Sequence, residues 1–171
     1  MSEMIDMCDK IKISELPFVL NPNDAWESFD TLKFEPIMNG SWFEEKFLNN
    51  TTGELNNNLK SIPNDKGGIY VFIAKPNVIP DIHMYILYIG RALSTPSQNL
   101  RKRLRNYIND SRPRIEMMRS KWGKYLYIRY LPLTDNETIK DLEKELTRVV
   151  HPPCNIDYPG VIRGARTAAF V

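Results

Sequence analysis

Two apolar runs, joined by a proline-bearing loop and bounded by glycines, constrain this chain more than any other feature. The first comes after Gly67-Gly68 and reads Ile69-Tyr70-Val71-Phe72-Ile73-Ala74. The second reads Tyr85-Ile86-Leu87-Tyr88-Ile89 and closes on Gly90. Their β-branched and aromatic content favours strand over helix, which predicts strands at about 69–75 and 84–90. The loop between them carries Pro76 and Pro80, so the strands are expected to pair as an extended hairpin. Each strand delivers one tyrosine, Tyr70 or Tyr88, inside a glycine-flanked tripeptide. Glycine there permits close approach of another group to the backbone.

Downstream, Ser97 is positioned to cap a helix at about 98–109 with Leu100, Leu104, Tyr107 and Ile108 on one face. A second short helix at about 113–121 ends at Gly123. Lys124 to Leu133 alternates as a third strand. Thr134-Asp135-Asn136-Glu137 has capping-box spacing. It opens a helix to about Val150 whose buried face is Ile139, Leu142, Leu146, Val149 and Val150, and Pro152-Pro153 ends it. The order β-β-α-α-β-α predicts an α+β domain with a small antiparallel three-stranded sheet flanked by helices.

Residues 1–66 are acidic and irregular by comparison. Ser41-Trp42-Phe43-Glu44 has capping-box spacing and predicts a short helix through Leu48. Asn49 to Asn58 reads as a loop or frayed helix. Trp26, Phe29, Phe34, Trp42, Phe43 and Phe47 are too many aromatics for a disordered tail. They are expected to pack on the main core, the alternative being an arm that contacts nucleic acid.

An apolar fraction of 42% in 171 residues supports one packed domain with an extension. No run approaches the ~20 apolar residues of a membrane span, and the first residues lack the basic-then-apolar pattern of a signal peptide. Cys8 and Cys154 make neither a disulfide framework nor a zinc cluster, which suits a reducing cytoplasm. The chain carries a net charge of only +2, but its charge is uneven. From Arg91 to Arg129 there are eleven lysines and arginines, opposed only by Asp110 and Glu116. Such a segment is either the footprint of a polyanion site or a solvated helix face.

The tripeptides Gly68-Ile69-Tyr70 and Tyr88-Ile89-Gly90, together with the residues C-terminal to them, resemble the GIY-YIG nuclease family. Tyr88-Ile89-Gly90-Arg91-Ala92 precedes Asn99-Leu100-Arg101-Lys102-Arg103-Leu104, similar to the family's strand end and arginine-bearing helix. Glu143, with Pro152-Pro153-Cys154-Asn155 after it, looks like its metal-binding glutamate and later asparagine. The resemblance covers about residues 67–157, leaving an extension at 1–66 and a tail at 158–171. It implies a metal-dependent DNA endonuclease that uses Mg²⁺ or Mn²⁺ held by Glu143. It further implies that Tyr70 acts on or holds the attacking water, that Tyr88 hydrogen-bonds to that water or the phosphate, and that Asn155 orients the phosphate or the metal-bound water. Arg103 is the nearest match to the essential arginine, and Tyr107 matches a frequent aromatic.

The residues themselves add to this. Arg103 sits at the edge of its helix's buried face, where a planar guanidinium reaches a phosphate with two donors. Arg91 and Arg103 supply the positive charge that would lower a phenol's pKa, ordinarily about 10. Arg101, Lys102, Arg105, Tyr107, Arg112 and Arg114 are the expected DNA contacts. Glu143 borders the apolar stripe of its helix and has Thr147, not a base, four residues on. Glu145 lies farther from that stripe. Asn155 alternatively forms an Asx turn after Pro153.

The seventeen residues between Tyr70 and Tyr88, and the loop Leu93 to Gln98, are longer than in compact family members. They point to target recognition by these loops and to a stand-alone restriction, defence or mobile-element nuclease acting on double-stranded DNA. Cutting both strands with one site per chain favours a homodimer, whereas sequential nicking does not need one. The rival readings are a non-catalytic nucleic-acid-binding protein with this fold and an RNA nuclease.

Overall fold

The computed structural model describes residues 26–30 and 34–156. The expected tail at 158–171, residues 1–25 of the extension and Cys8 lie outside the described residues. In chain order the elements are α1 (Glu35–Asn39), β1 (Phe43–Lys46), a 3-10 turn (Asn57–Lys60), β2 (Gly67–Ala74) and β3 (Tyr85–Ala92). Then come α2 (Leu100–Asn106), 3-10 turn Tyr107–Asn109, α3 (Pro113–Trp122), 3-10 turn Gly123–Tyr125, β4 (Leu126–Leu133) and α4 (Asn136–Val150).

The protein is α+β, with one antiparallel sheet of four strands rather than three, in the order β1-β4-β2-β3. The fourth strand comes from the extension. Residues 43–46 were expected to be helical because of the Ser41…Glu44 spacing. The segment instead pairs as a strand with β4. Phe43 stacks on Tyr130 across the strand pair at 5.5 Å, and Phe47, just past the strand, buries its ring edge-on against Phe72. On the other face Glu44 pairs with Lys75 and Arg129.

Every residue of β2 is buried, since helices cover both faces of the sheet. Tyr70, Phe72 and Ala74 pack toward α2 and α3, meeting Leu100, Leu104, Tyr107, Ile115 and Met118. Ile69, Val71 and Ile73 pack toward α4, meeting Ile139 and Leu142. This explains why β2 reads as an unbroken apolar run. Of the extension's described aromatics, Phe34 and Phe47 are buried in this core and Phe29 and Trp42 pack against it, whereas Trp26 and Phe43 are about half exposed. Phe34 stacks on Phe29, Trp42 donates to the Ile37 carbonyl, and Trp26 donates to the Val149 carbonyl in the last turn of α4.

Two helix starts differ from expectation by a residue or two. Asn99 rather than Ser97 caps α2, its side chain accepting from the Lys102 N–H, so the helix begins later and ends at Asn106 in a tighter turn. Asp135 rather than Thr134 caps α4, accepting from the Thr138 N–H at 2.7 Å. Asp and Asn compete well with Ser and Thr at this position. Among the described residues no helix is long and apolar enough to cross a membrane.

Candidate active site

The hairpin register pairs Tyr70 with Gly90 and Phe72 with Tyr88. Between Phe72 and Ile73 the register slips, leaving Leu87 as an extra residue on β3. A bulge of this kind re-aims neighbouring side chains. Leu87 and Tyr88 are adjacent in sequence, yet both face the α2–α3 side of the sheet. Tyr88 thereby joins Tyr70, while Ile89 and Arg91 turn to the α4 side.

Tyr70 is wholly buried. Its hydroxyl lies 2.7 Å from the Tyr107 hydroxyl and accepts from Arg103 Nε at 3.2 Å. Its ring stacks on Tyr88 at 6.5 Å and meets Tyr107 edge-on at 5.8 Å. Three phenols thus cluster beside two guanidiniums, for Arg103 and Arg112 lie 5.3 and 5.7 Å from the Tyr107 ring centre. Burial dominates the proton chemistry here. It pushes Tyr70 up to about 12, with the neighbouring Tyr88 adding to the rise and Arg103 and Tyr107 opposing it. Tyr107 is raised chiefly by burial as well, and Arg103 is held firmly charged by the phenol of Tyr70.

These shifts predict an alkaline limit to stability. An unfolded tyrosine ionises near 10 and folded Tyr70 near 12, so the folded state keeps the proton longer. Stability from this phenol is intact below pH 10 and is lost as pH rises from 10 to 12. Urea midpoints across that window should fall for the wild type and fall less for Tyr70→Phe.

Beside the cluster lies a cavity of about 380 Å³ at the outer edge of β3. Tyr88 enters it from one side of the sheet and Glu143 from the other, with Arg112, Arg114 and Asn155 completing its polar wall. Tyr88 is partly exposed and lines this cavity, whereas Tyr70 is wholly buried; the Tyr88 side chain also hydrogen-bonds with that of Tyr107. Glu143 receives Arg91 at 2.5 Å. Burial raises the Glu143 carboxyl above its ordinary range, and Arg91 pulls it part of the way back. Glu145 pairs instead with Arg148, three residues on along the helix surface.

Asn155 does something the sequence did not suggest. Its Oδ1 accepts from the Ile89 N–H at 2.9 Å and its Nδ2 donates to the Ile89 carbonyl at 2.8 Å. Arg114 in turn donates to the carbonyls of Pro153 and Asn155. The segment after α4 is therefore fastened along β3, with the Cys154 N–H on the Leu87 carbonyl. Asn155→Ala would leave two buried main-chain groups without partners, a cost of about 1–3 kcal/mol for an unsatisfied group. Urea denaturation should show that loss even in a protein whose chemistry is unaffected.

The basic segment is more committed than a charge count implies. Arg101 donates to the Ile62 carbonyl and Arg119 to the Tyr107 and Asp110 carbonyls, while Arg112 grips Asp110 with two nitrogens. Bonds to carbonyls use up donors but not charge, so the positive field persists. Lys102 and Arg105 point outward, as expected of phosphate contacts. Tyr107, expected among the DNA contacts, is only 1% exposed and belongs to the core. Its phenol supports Tyr70 instead. The Leu87 bulge, which sets the direction of Tyr88, had no signal in the sequence, since a strand register is settled only on pairing.

No group of three His, Cys, Asp or Glu side chains converges among the described residues. Among the described residues, Glu143 is the one carboxylate lining the cavity. A hard cation such as Mg²⁺ is commonly held by one or two carboxylates, with waters and substrate phosphate filling the rest of its shell. The donor set therefore fits such an ion if Glu143 exchanges Arg91 for it. No family model, curated protein or solved structure matches the chain.

Proposed function

We propose that the protein is a GIY-YIG-type endonuclease that hydrolyses phosphodiester bonds in DNA. The observation that carries the reading is the convergence of Tyr88, Glu143 and a cationic wall on one cavity, with Tyr70 and Arg103 hydrogen-bonded beside it. These residues come from β2, β3, α2, α3 and α4. Polar groups of this kind, drawn from five elements, are what charge stabilisation at a phosphate requires.

In this reading Arg103 clamps the scissile phosphate. Its Nε is fixed by Tyr70, and its terminal nitrogens have no hydrogen bond to the described protein. Tyr70, buried and strongly protonated, acts as a positioning residue for Arg103 rather than as the base. Tyr88 holds the attacking water by its hydroxyl. Arg112 and Arg114 steer the phosphate toward the cavity. Glu143 would hold a divalent cation, which when bound polarises phosphoryl oxygens and acidifies a water. Asn155 contributes by holding Ile89, and hence the adjoining Tyr88, in register.

The reading is tested by incubating the protein with supercoiled plasmid and, separately, with a structured RNA. Conversion of the plasmid to nicked or linear forms with Mg²⁺, stopped by EDTA, is the expected result. Cleavage of the RNA alone changes the substrate. Binding to either polymer without cutting, across many sequences, favours the non-catalytic nucleic-acid-binding reading. A second chain for the other strand and a restriction, defence or mobile-element setting are part of the same proposal.

A further inference from the structure

The outer side of α2 forms one wall of a groove that the site above does not use. The opposite wall is the extension, around residues 52–64. Two hollows of about 420 and 480 Å³ run together there, sharing Leu55, Arg105 and Ile108. The first is lined by Asn64, Lys102, Asn106 and Asn109, together with Arg101 and Arg105. Among the described residues, Glu54 is the one carboxylate in either hollow, against Lys60, Arg101, Lys102 and Arg105.

Two chemical properties stand out. Lys102 and Arg105 are exposed, and neither has a carboxylate partner among the described residues. The side-chain amides of Asn64, Asn106 and Asn109 are likewise exposed and make no hydrogen bond to the described protein. Carboxamides pair with the donor and acceptor edge of adenine, whereas lysine and arginine neutralise phosphates. Free amides beside free cations form a surface suited to both tasks. The groove also shares a helix with the site, for α2 turns Arg103 inward to Tyr70 and Lys102 and Arg105 outward.

We infer that this groove holds the DNA flanking the scissile phosphate, with Lys102 and Arg105 on the backbone and Asn64, Asn106 and Asn109 facing base edges. The inference rests on the nuclease reading for the position of the scissile phosphate. Its test is a binding measurement and does not depend on cutting.

The probe is a fluorescein-labelled duplex of random sequence, titrated by anisotropy at several salt concentrations in the presence of EDTA. Wild type is compared with Lys102→Ala/Arg105→Ala and with Asn64→Ala/Asn106→Ala/Asn109→Ala. The double variant should bind more weakly, and its slope of log affinity against log salt should shrink by about two, one for each lost phosphate contact. The triple variant should keep the wild-type salt slope. In selection from a randomised duplex pool, it should fail to return the motif that wild type enriches. All five positions are exposed, so both variants should keep the wild-type thermal midpoint.

A double variant that titrates like a wild type which binds and cuts overturns the groove and leaves the nuclease reading standing. A triple variant that returns the wild-type motif overturns base contact by the asparagines. A wild type that never cuts, but whose salt slope falls in the double variant, keeps the groove and removes the catalytic reading. Preference for an RNA probe over the duplex overturns the assignment of the occupant as DNA.

Discussion

Glu143→Gln is expected to lower plasmid cleavage by about three orders of magnitude while leaving duplex binding in place. Glutamine keeps the shape of the side chain and can still accept from Arg91, but it carries no charge with which to hold a cation. The several kcal/mol of charge stabilisation supplied by a bound divalent ion would go with it, and each ~1.4 kcal/mol is a factor of ten in rate. Folding should be little affected. The Arg91–Glu143 pair is partly exposed, with side-chain accessibilities of 40% and 23%, and such pairs contribute little to stability. The decisive comparison is cleavage and anisotropy on the same preparation, with EDTA as the metal-free control. Equal cutting by the variant would mean that another carboxylate holds the metal, and the resemblance would fail at its centre.

Gly90→Ala is expected to damage both stability and cleavage through a single methyl group. A Cβ at position 90 would lie 2.6 Å from Cζ and from the hydroxyl oxygen of Tyr70. That ring has nowhere to retreat, being wholly buried among Phe72, Tyr88 and Tyr107. Overpacking of this kind costs about 1–3 kcal/mol, and a chain of this size loses about 2–4 °C of thermal midpoint per kcal/mol. A displaced Tyr70 hydroxyl would also release Arg103. Tyr70→Phe separates the two effects, since it keeps the ring and removes only the oxygen that fixes the guanidinium. If Gly90→Ala melts and cuts like wild type, the close approach of Tyr70 to the strand is not a requirement of the fold.

Those glycines also show what was legible in the sequence. Gly90 lies under the ring of Tyr70, and Gly68 has a φ of +146°, where a Cβ would run into the Leu131 carbonyl oxygen. Both tripeptides are therefore written by sterics, which is why they could be read directly. The hairpin and the amphipathic face of α4 were legible because each follows from the residue pattern along its own segment, whereas the pairing of Glu143 with Arg91 on β3, remote in sequence, was not. The fourth strand was not, because Phe43–Lys46 is stabilised by Tyr130, Arg129 and Lys75, all remote in sequence. Nor was the burial of Tyr107. At positions 100, 104, 107 and 108 a helical face can be recognised, but not how deeply its last turn sinks. Asn155 was expected to orient a phosphate or to form an Asx turn; the partner its amide takes, the backbone of Ile89, was visible only once the strand edge existed.

That amide has a consequence beyond the cavity. In the order β1-β4-β2-β3, the eight-residue strand β3 ends the sheet and offers its outer backbone to any passing extended chain. Asn155 occupies Ile89 as a peptide group of a neighbouring strand would, and Cys154 occupies Leu87. The opposite border, β1, is only four residues long and carries Glu44, Glu45 and Lys46. One border is thus blocked by the molecule's own chain and the other is short and charged. Among the described residues the sheet ends at four strands, and neither border offers a long open backbone for edge-to-edge pairing between copies.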